Sequence, residues 1–176
     1  MTKFFSKFIF NILYFFDEII KFLFNRSLLL WFKYFYEQKA NQTILIKKKI
    51  VYLFAPNYLT NWLYRDFYKK EPETIEWIDN FKKKGKKIIF WDVGSNIGLY
   101  SIYAALKHKN IEIISFEPST SNLRILSRNI SLNKLQKKIK IIPIPLIDIK
   151  KNFSLLREGK FGEGERNNSF KKINFE

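Results

Sequence analysis

The sequence predicts an α/β protein built on parallel strands, and three observations within residues 87–133 predict it. Two short β-branched and aromatic runs, 87–91 and 111–116, each end at a carboxylic acid, Asp92 and Glu117. Between them, Asp92-Val93-Gly94-Ser95-Asn96-Ile97-Gly98-Leu99-Tyr100-Ser101 forms a glycine turn that passes into a helical pattern. Strand, glycine turn, helix and strand in that order make a βαβ unit, the frame of a nucleotide-cofactor half-domain.

Residues 1–38 form a separate compositional zone. Apolar residues including Phe4, Phe8, Ile12, Phe15, Ile19 and Leu23 recur at three- and four-residue steps among Lys3, Lys7, Asp17, Glu18 and Lys21. The spacing predicts helices rich in aromatic residues. The longest uncharged run, 8–16, has nine residues, against the roughly 20 that a membrane span needs. No small-residue cleavage site follows, so the segment does not read as a signal peptide. Two readings stay open: helices packed over the following domain, or an amphipathic anchor through residues 1–36 lying in a membrane interface.

Residues 39–86 read as a lead-in. Alternation predicts a hairpin or strand over 43–54, ending at Ala55-Pro56-Asn57, then a loop or short helix over 57–70 carrying Trp62, Arg65 and Tyr68. A helix is predicted over 71–83, with Pro72 in its first turn and Glu71, Glu73 and Glu76 near its positive end. Residues 87–176 hold the main domain. They give a strand over 87–91, a helix over 97–108, a strand over 111–116 and a helix from Ser119 or Thr120 to about 133. A third strand over 139–144 is broken by Pro143 and Pro145, 153–156 is strand-like, and the glycine-rich, charged 159–168 reads as a mobile loop. His108, the only histidine, sits where it favours a helix C-terminus rather than acting as a base.

The two acids narrow the ligand. A dinucleotide turn carries three glycines so that the backbone can wrap a pyrophosphate. Here Gly94 and Gly98 flank Asn96, which tolerates left-handed backbone angles. Asp92 precedes the turn, where it would repel a pyrophosphate but suit a cofactor bearing positive charge. S-adenosylmethionine has an ammonium and a sulfonium and no phosphate. Asp92 would hold the ammonium, the amides of Gly94, Ser95 and Asn96 would approach the methionine part, and Glu117 would accept both ribose hydroxyls. Asp148, beyond the third strand, is placed either near the adenine or, the preferred reading, in a surface turn with Lys150 and Lys151. The bland alternative is a strand-to-helix turn that binds nothing, with Glu117 capping the next helix. A third reading is an NAD-binding domain.

The stretch from Asp92 to Ser101 resembles the first motif of the FkbM family of S-adenosylmethionine-dependent methyltransferases, DVGANxGxYS, with Ser95 where Ala is usual. The resemblance extends through Phe116-Glu117-Pro118, Asn122-Leu123 and 129–133. Upstream, Lys70-Glu71-Pro72-Glu73-Thr74-Ile75-Glu76-Trp77 is similar to a KEPETLEW lead-in, and downstream Asn168-Ser169-Phe170 is similar to a short family element. It covers roughly 44–170. It implies a Rossmann-like class I methyltransferase fold and O-methylation of a sugar or related metabolite, so the acceptor would be a small molecule or glycan. It names no general base; Arg65, Tyr68 and Asn168 are acceptor-side candidates only. The family's later D-V-E-G segment has no counterpart, and only three parallel strands are predicted of about seven. The expectation is therefore the N-terminal half of the sheet: a C-terminally shortened enzyme, inactive alone, or one part of a two-chain enzyme whose second chain supplies the missing half. Its open sheet would expose an edge and an apolar face. The competing class is a non-catalytic remnant or membrane-associated interaction module that keeps the cofactor frame.

Composition fits one buried core in 176 residues, with 18% aromatics and 19 Phe. The absence of cysteine excludes disulfides and thiolate metal sites, and no metal site is predicted. The net charge of +16 comes with lysine runs at 47–49, 82–87 and 134–140 but with no nucleic-acid motif. Solvated surface is therefore preferred to a nucleic-acid patch. The expected location is cytoplasmic, and the anchor reading of residues 1–36 would place the chain peripherally at the inner face of the membrane.

Overall fold

The computed structural model describes residues 1–46, 48–81, 86–146, 154–158, 162–165 and 168–172. The chain divides into two compact units, Met1–Asn41 and Gln42–Glu176.

The first unit is a helical hairpin of α1 (Thr2–Phe24) and α2 (Leu28–Lys39). Asn25 ends α1 in the left-handed conformation, φ 51°, which an Asn tolerates. Ser27 then caps α2, its Oγ accepting the Leu30 amide at 3.3 Å. One buried acid ties the two helices together. Asp17 Oδ1 accepts from the Leu29 amide and from Ser27 Oγ, both at 3.0 Å, while Lys21 Nζ lies 2.9 Å from Oδ2. Burial opposes its ionisation, yet the Leu29 amide, Lys21 and Ser27 outweigh that and draw its pKa down to about 2. No described helix is long and apolar enough to cross a membrane.

The second unit is α/β. β1 (Asn41–Ile46) and β2 (Lys49–Phe54) pair as a two-stranded sheet. The stretch 57–70, read as loop or short helix, holds two helices, α3 (Tyr58–Arg65) and α4 (Phe67–Lys70). Asn57 and Thr60 form a capping box on α3. The lead-in helix α5 is Pro72–Asp79, shorter than predicted. β3 (Ile88–Val93), α6 (Leu99–Lys107), β4 (Ile111–Phe116), α7 (Thr120–Leu132) and β5 (Ile139–Ile142) follow. β5 stops before Pro143, which cannot donate to the ladder. β6 (Ser154–Glu158) and β7 (Asn168–Lys172) pair antiparallel.

β3, β4 and β5 form the predicted Rossmann-like parallel sheet, in the order β3-β4-β5. Register sets Phe90 against Ile113 and Asp92 against Ser115 in β3 and β4, and Ile113 against Ile139 in β4 and β5. Phe90, Asp92, Ile113, Ser115 and Ile139 are all buried. With sequential strands and right-handed crossovers, both crossing helices belong on this face. The alternate residues of β3, Ile89, Trp91 and Val93, are exposed at 63%, 57% and 55%. On the same alternate register, Glu112 bridges Lys87 and Lys140.

α7 serves a second purpose through its asparagines. Asn133 accepts the Tyr52 amide at 3.0 Å and donates to the Tyr52 carbonyl at 2.7 Å, so a side-chain amide stands in for a neighbouring strand of β2. Asn129 is fully buried, accepts the Phe54 amide at 2.8 Å and donates to Ile97 O and Tyr64 Oη. Tyr64 Oη closes the ring onto Phe54 O at 2.6 Å. His108 ends α6 buried, donating from Nε2 to the Ile78 carbonyl at 2.8 Å and stacking on Phe81, as a packing residue would.

Candidate cofactor-binding site

The βαβ geometry brings the ends of β3 and β4 to one cavity of about 480 Å³, at the carboxyl edge of the sheet where ligands of such folds bind. Asp92, Gly94, Asn96 and Glu117 line it together with Glu71, Thr74, Tyr100, Asn122, Pro145, Leu146 and Glu165. Ser95 and Gly98 do not line it, and Asp148 lies outside the described residues.

Asp92 is 8% exposed, and its Oδ2 accepts Ser101 Oγ at 2.5 Å; Ser101 in turn lies 2.7 Å from Ser115 Oγ. Burial pushes the Asp92 carboxyl up to about 6. The bonds from Ser101 oppose the rise, and the neighbouring charges of Glu117 and Glu71 add to it.

The turn is held by the protein itself. The amides of Gly94 and Ser95, expected to face a ligand, both donate to Phe116 O, at 2.9 and 3.0 Å. The Asn96 amide donates to Glu117 Oε2 at 2.7 Å. Glu117 Oε1 accepts the Ser119 amide at 2.9 Å and Asn122 Nδ2 at 3.4 Å. Glu117 therefore clamps the turn to the start of α7. Oε1 is filled by its two donors, and Oε2, with one, keeps a lone pair for a ligand hydroxyl.

The two glycines differ in purpose. Gly94 has φ +72° and open space where a Cβ would stand, so backbone at the cavity wall is what it provides. Gly98 has φ +85°, and a Cβ there would meet Leu126 Cδ1 at 2.4 Å. Gly98 thus lets α6 start against α7, a packing constraint rather than a ligand approach.

Sequence reasoning missed the turn at 162–165, which brings Glu165 to the cavity. The loop read as mobile is pinned where it is described. Asn57 Nδ2 donates to Glu163 O at 3.1 Å, Arg124 pairs with Glu163 at 2.8 Å, and Asn122 Oδ1 accepts the Gly164 amide at 2.8 Å. Asn96 Nδ2 donates to Gly164 O and Glu165 O, at 3.3 and 3.1 Å. Only the asparagines at 57, 96 and 122 hinted at this, and asparagine side chains announce no partner in a sequence. Of the acceptor-side candidates, Tyr68 donates to Leu45 O, and neither it nor Arg65 lines the cavity.

The residues present fit a cationic, hydroxyl-bearing cofactor. Asn96 lines the cavity, and its Oδ1 is buried without a hydrogen-bond partner. Four carboxylates, Glu71, Asp92, Glu117 and Glu165, belong to lining residues in a chain of net charge +16.

Over 51 residues the chain is 39% identical to the protein described as "Methyltransferase sdnD" from Sordaria araneosa, a match covering 29% of this chain and 20% of that protein. No family model matches. Among solved structures, the SAM-dependent methyltransferase from Agrobacterium tumefaciens superposes with a TM-score of 0.45 at 14% identity, over 59% of this chain and 32% of that one. The Pyrococcus horikoshii protein PH0793 gives 0.44 at 16%, over 60% and 37%. The chain thus spans well under half the length of these relatives.

Proposed function

We propose that this cavity binds S-adenosylmethionine and that the chain carries the donor-binding machinery of an FkbM-like methyltransferase, directed at a hydroxyl of a sugar or related metabolite. The observation that carries the reading is charge: a strongly basic protein reserves a buried acid, Asp92, and three further carboxylates for one cavity. A pyrophosphate would meet repulsion there, whereas an ammonium and a sulfonium would be attracted. The match to a methyltransferase over 51 residues supports the same direction.

In this reading Asp92 holds the cofactor ammonium, and Glu117 Oε2 takes a ribose hydroxyl with the lone pair that the Asn96 amide leaves. The bound cofactor supplies a methyl group on a positively charged sulfur. The chain would fix that group's position in the cavity, where Pro145 and Leu146 contribute apolar lining.

Titration calorimetry of the full chain against S-adenosylmethionine and NADH tests this. The methyl donor should bind and NADH should not. Asp92→Ala and Glu117→Gln should each weaken binding by about 1.5–3 kcal/mol, the scale for hydrogen bonds to charged groups. Tighter binding of NADH would overturn the assignment. Methyl transfer to a glycan acceptor is a separate assay, because binding alone is compatible with a non-catalytic protein.

A further inference from the structure

We propose that α1 lies in the interfacial plane of an anionic lipid surface. On a helix of 100° per residue, Phe4, Phe8, Phe15 and Phe22 fall within about 40° of one another. They are exposed at 82%, 57%, 62% and 89%. The residues of α1 that are not exposed, Leu13, Asp17 and Ile20, lie on the opposite side of the helix, where Asp17 bonds to Ser27 and Leu29 at the start of α2. The aromatic stripe therefore points away from the partner that the hairpin provides for itself. An exposed stripe of this kind marks an interaction surface.

Two features identify lipid as the occupant. The first is the pattern of a helix that lies flat: Lys3, Lys7, Glu18 and Lys21 gather on the polar arc beside the stripe, and the helix is not apolar enough to cross a bilayer. The second is charge. Lys3, Lys7, Lys21, Arg26, Lys33 and Lys39 outnumber Asp17, Glu18 and Glu37 in the hairpin. Both acids of α1 are engaged internally, Asp17 by Lys21, Ser27 and the Leu29 amide, and Glu18 by Lys21 at 2.9 Å. The surface that remains is aromatic and cationic, complementary to acyl chains beneath anionic headgroups. The proposal is independent of what the cavity binds.

Flotation of the full chain with phosphatidylcholine vesicles, with and without phosphatidylglycerol, is the test. The chain should float with the anionic vesicles, less so as salt rises, and weakly with the neutral ones. Replacing Phe4, Phe8, Phe15 and Phe22 together by Ser should lower partitioning at least about tenfold, from the apolar area withdrawn from the membrane. Lys3→Glu with Lys7→Glu should abolish the preference for anionic vesicles. All six side chains are exposed, and an unchanged helical circular-dichroism signal certifies that the variants fold. Unchanged flotation of the four-Phe variant overturns the proposal. So does a wild-type chain that ignores lipid but dimerises through the stripe, seen as a mass in light scattering that the four-Phe variant halves.

Discussion

Asp92 concentrates the conflict between stability and binding in one carboxyl. Its pKa in the folded chain, about 6, stands above the ordinary carboxylate value of 3.8. Between those two values the native state holds the proton more tightly than the unfolded chain does. The group's contribution is therefore fully present below about pH 4 and is lost as pH rises through 6, a loss of roughly 3 kcal/mol at neutral pH. Asp92→Asn should remove this decline, so that thermal unfolding at pH 7 shifts upward while binding of a cationic ligand falls. A variant equally stable or less stable at pH 7 would refute the ledger for this group. Gly98 makes a second prediction at this scale. Gly98→Ala must force a left-handed backbone and displace Leu126, and should cost about 2–4 kcal/mol in denaturant unfolding. Gly94→Ala meets no neighbour and should cost only the backbone term, about 1–2 kcal/mol. The equivalence of the two glycines in sequence hides this difference, because the neighbour that distinguishes them, Leu126, is 28 residues from Gly98.

At the scale of elements, α7 holds more of the fold together than its amphipathic pattern suggests. Asn129 satisfies Phe54 N, Ile97 O and Tyr64 Oη at once, all buried. Asn129→Ala takes the side-chain partner from Phe54 N and Ile97 O, while Tyr64 Oη keeps Phe54 O, and should destabilise the chain by about 3 kcal/mol in denaturant titration. Asn133→Ala, at the exposed end of the same contact, should cost markedly less. The elements whose signals are local were readable in advance. The β-branched run at 111–116 is β4 as predicted, and Ser119 caps α7 as its position before the apolar pattern implies. Elements whose form depends on distant partners were not. The helices α3 and α4 carry weak patterns and are fixed in part by Tyr64 reaching Phe54 and by Phe67 packing on Tyr103. The turn at 162–165 looked mobile because glycines and charges usually are, yet side chains from 57, 96, 122 and 124 hold it. In the site, Asp92, Gly94, Asn96 and Glu117 were legible from strand ends. The contribution of Glu71 was hidden, because its neighbourhood to Asp92 is a property of the fold.

For the whole molecule, the distribution of charge is the organising fact. Lysines cover the chain, whereas carboxylates line the cavity at the carboxyl edge of the sheet. The face of β3 bearing Ile89, Trp91 and Val93 is exposed in the chain as described, and exposed apolar sheet surface promotes association. Trp91→Lys should therefore reduce concentration-dependent light scattering without altering the cavity, since Trp91 does not line it. The central claim is that an ionised Asp92 holds the ammonium of S-adenosylmethionine. The most direct measurement is the affinity for that ligand as a function of pH, in the wild-type chain and in Asp92→Asn. The wild type should bind about tenfold more tightly per pH unit on rising toward pH 6 and level off above it, while Asp92→Asn should bind weakly with no such rise. Wild-type affinity that is flat across that range, or an Asp92→Asn variant that binds as tightly as wild type, would contradict it.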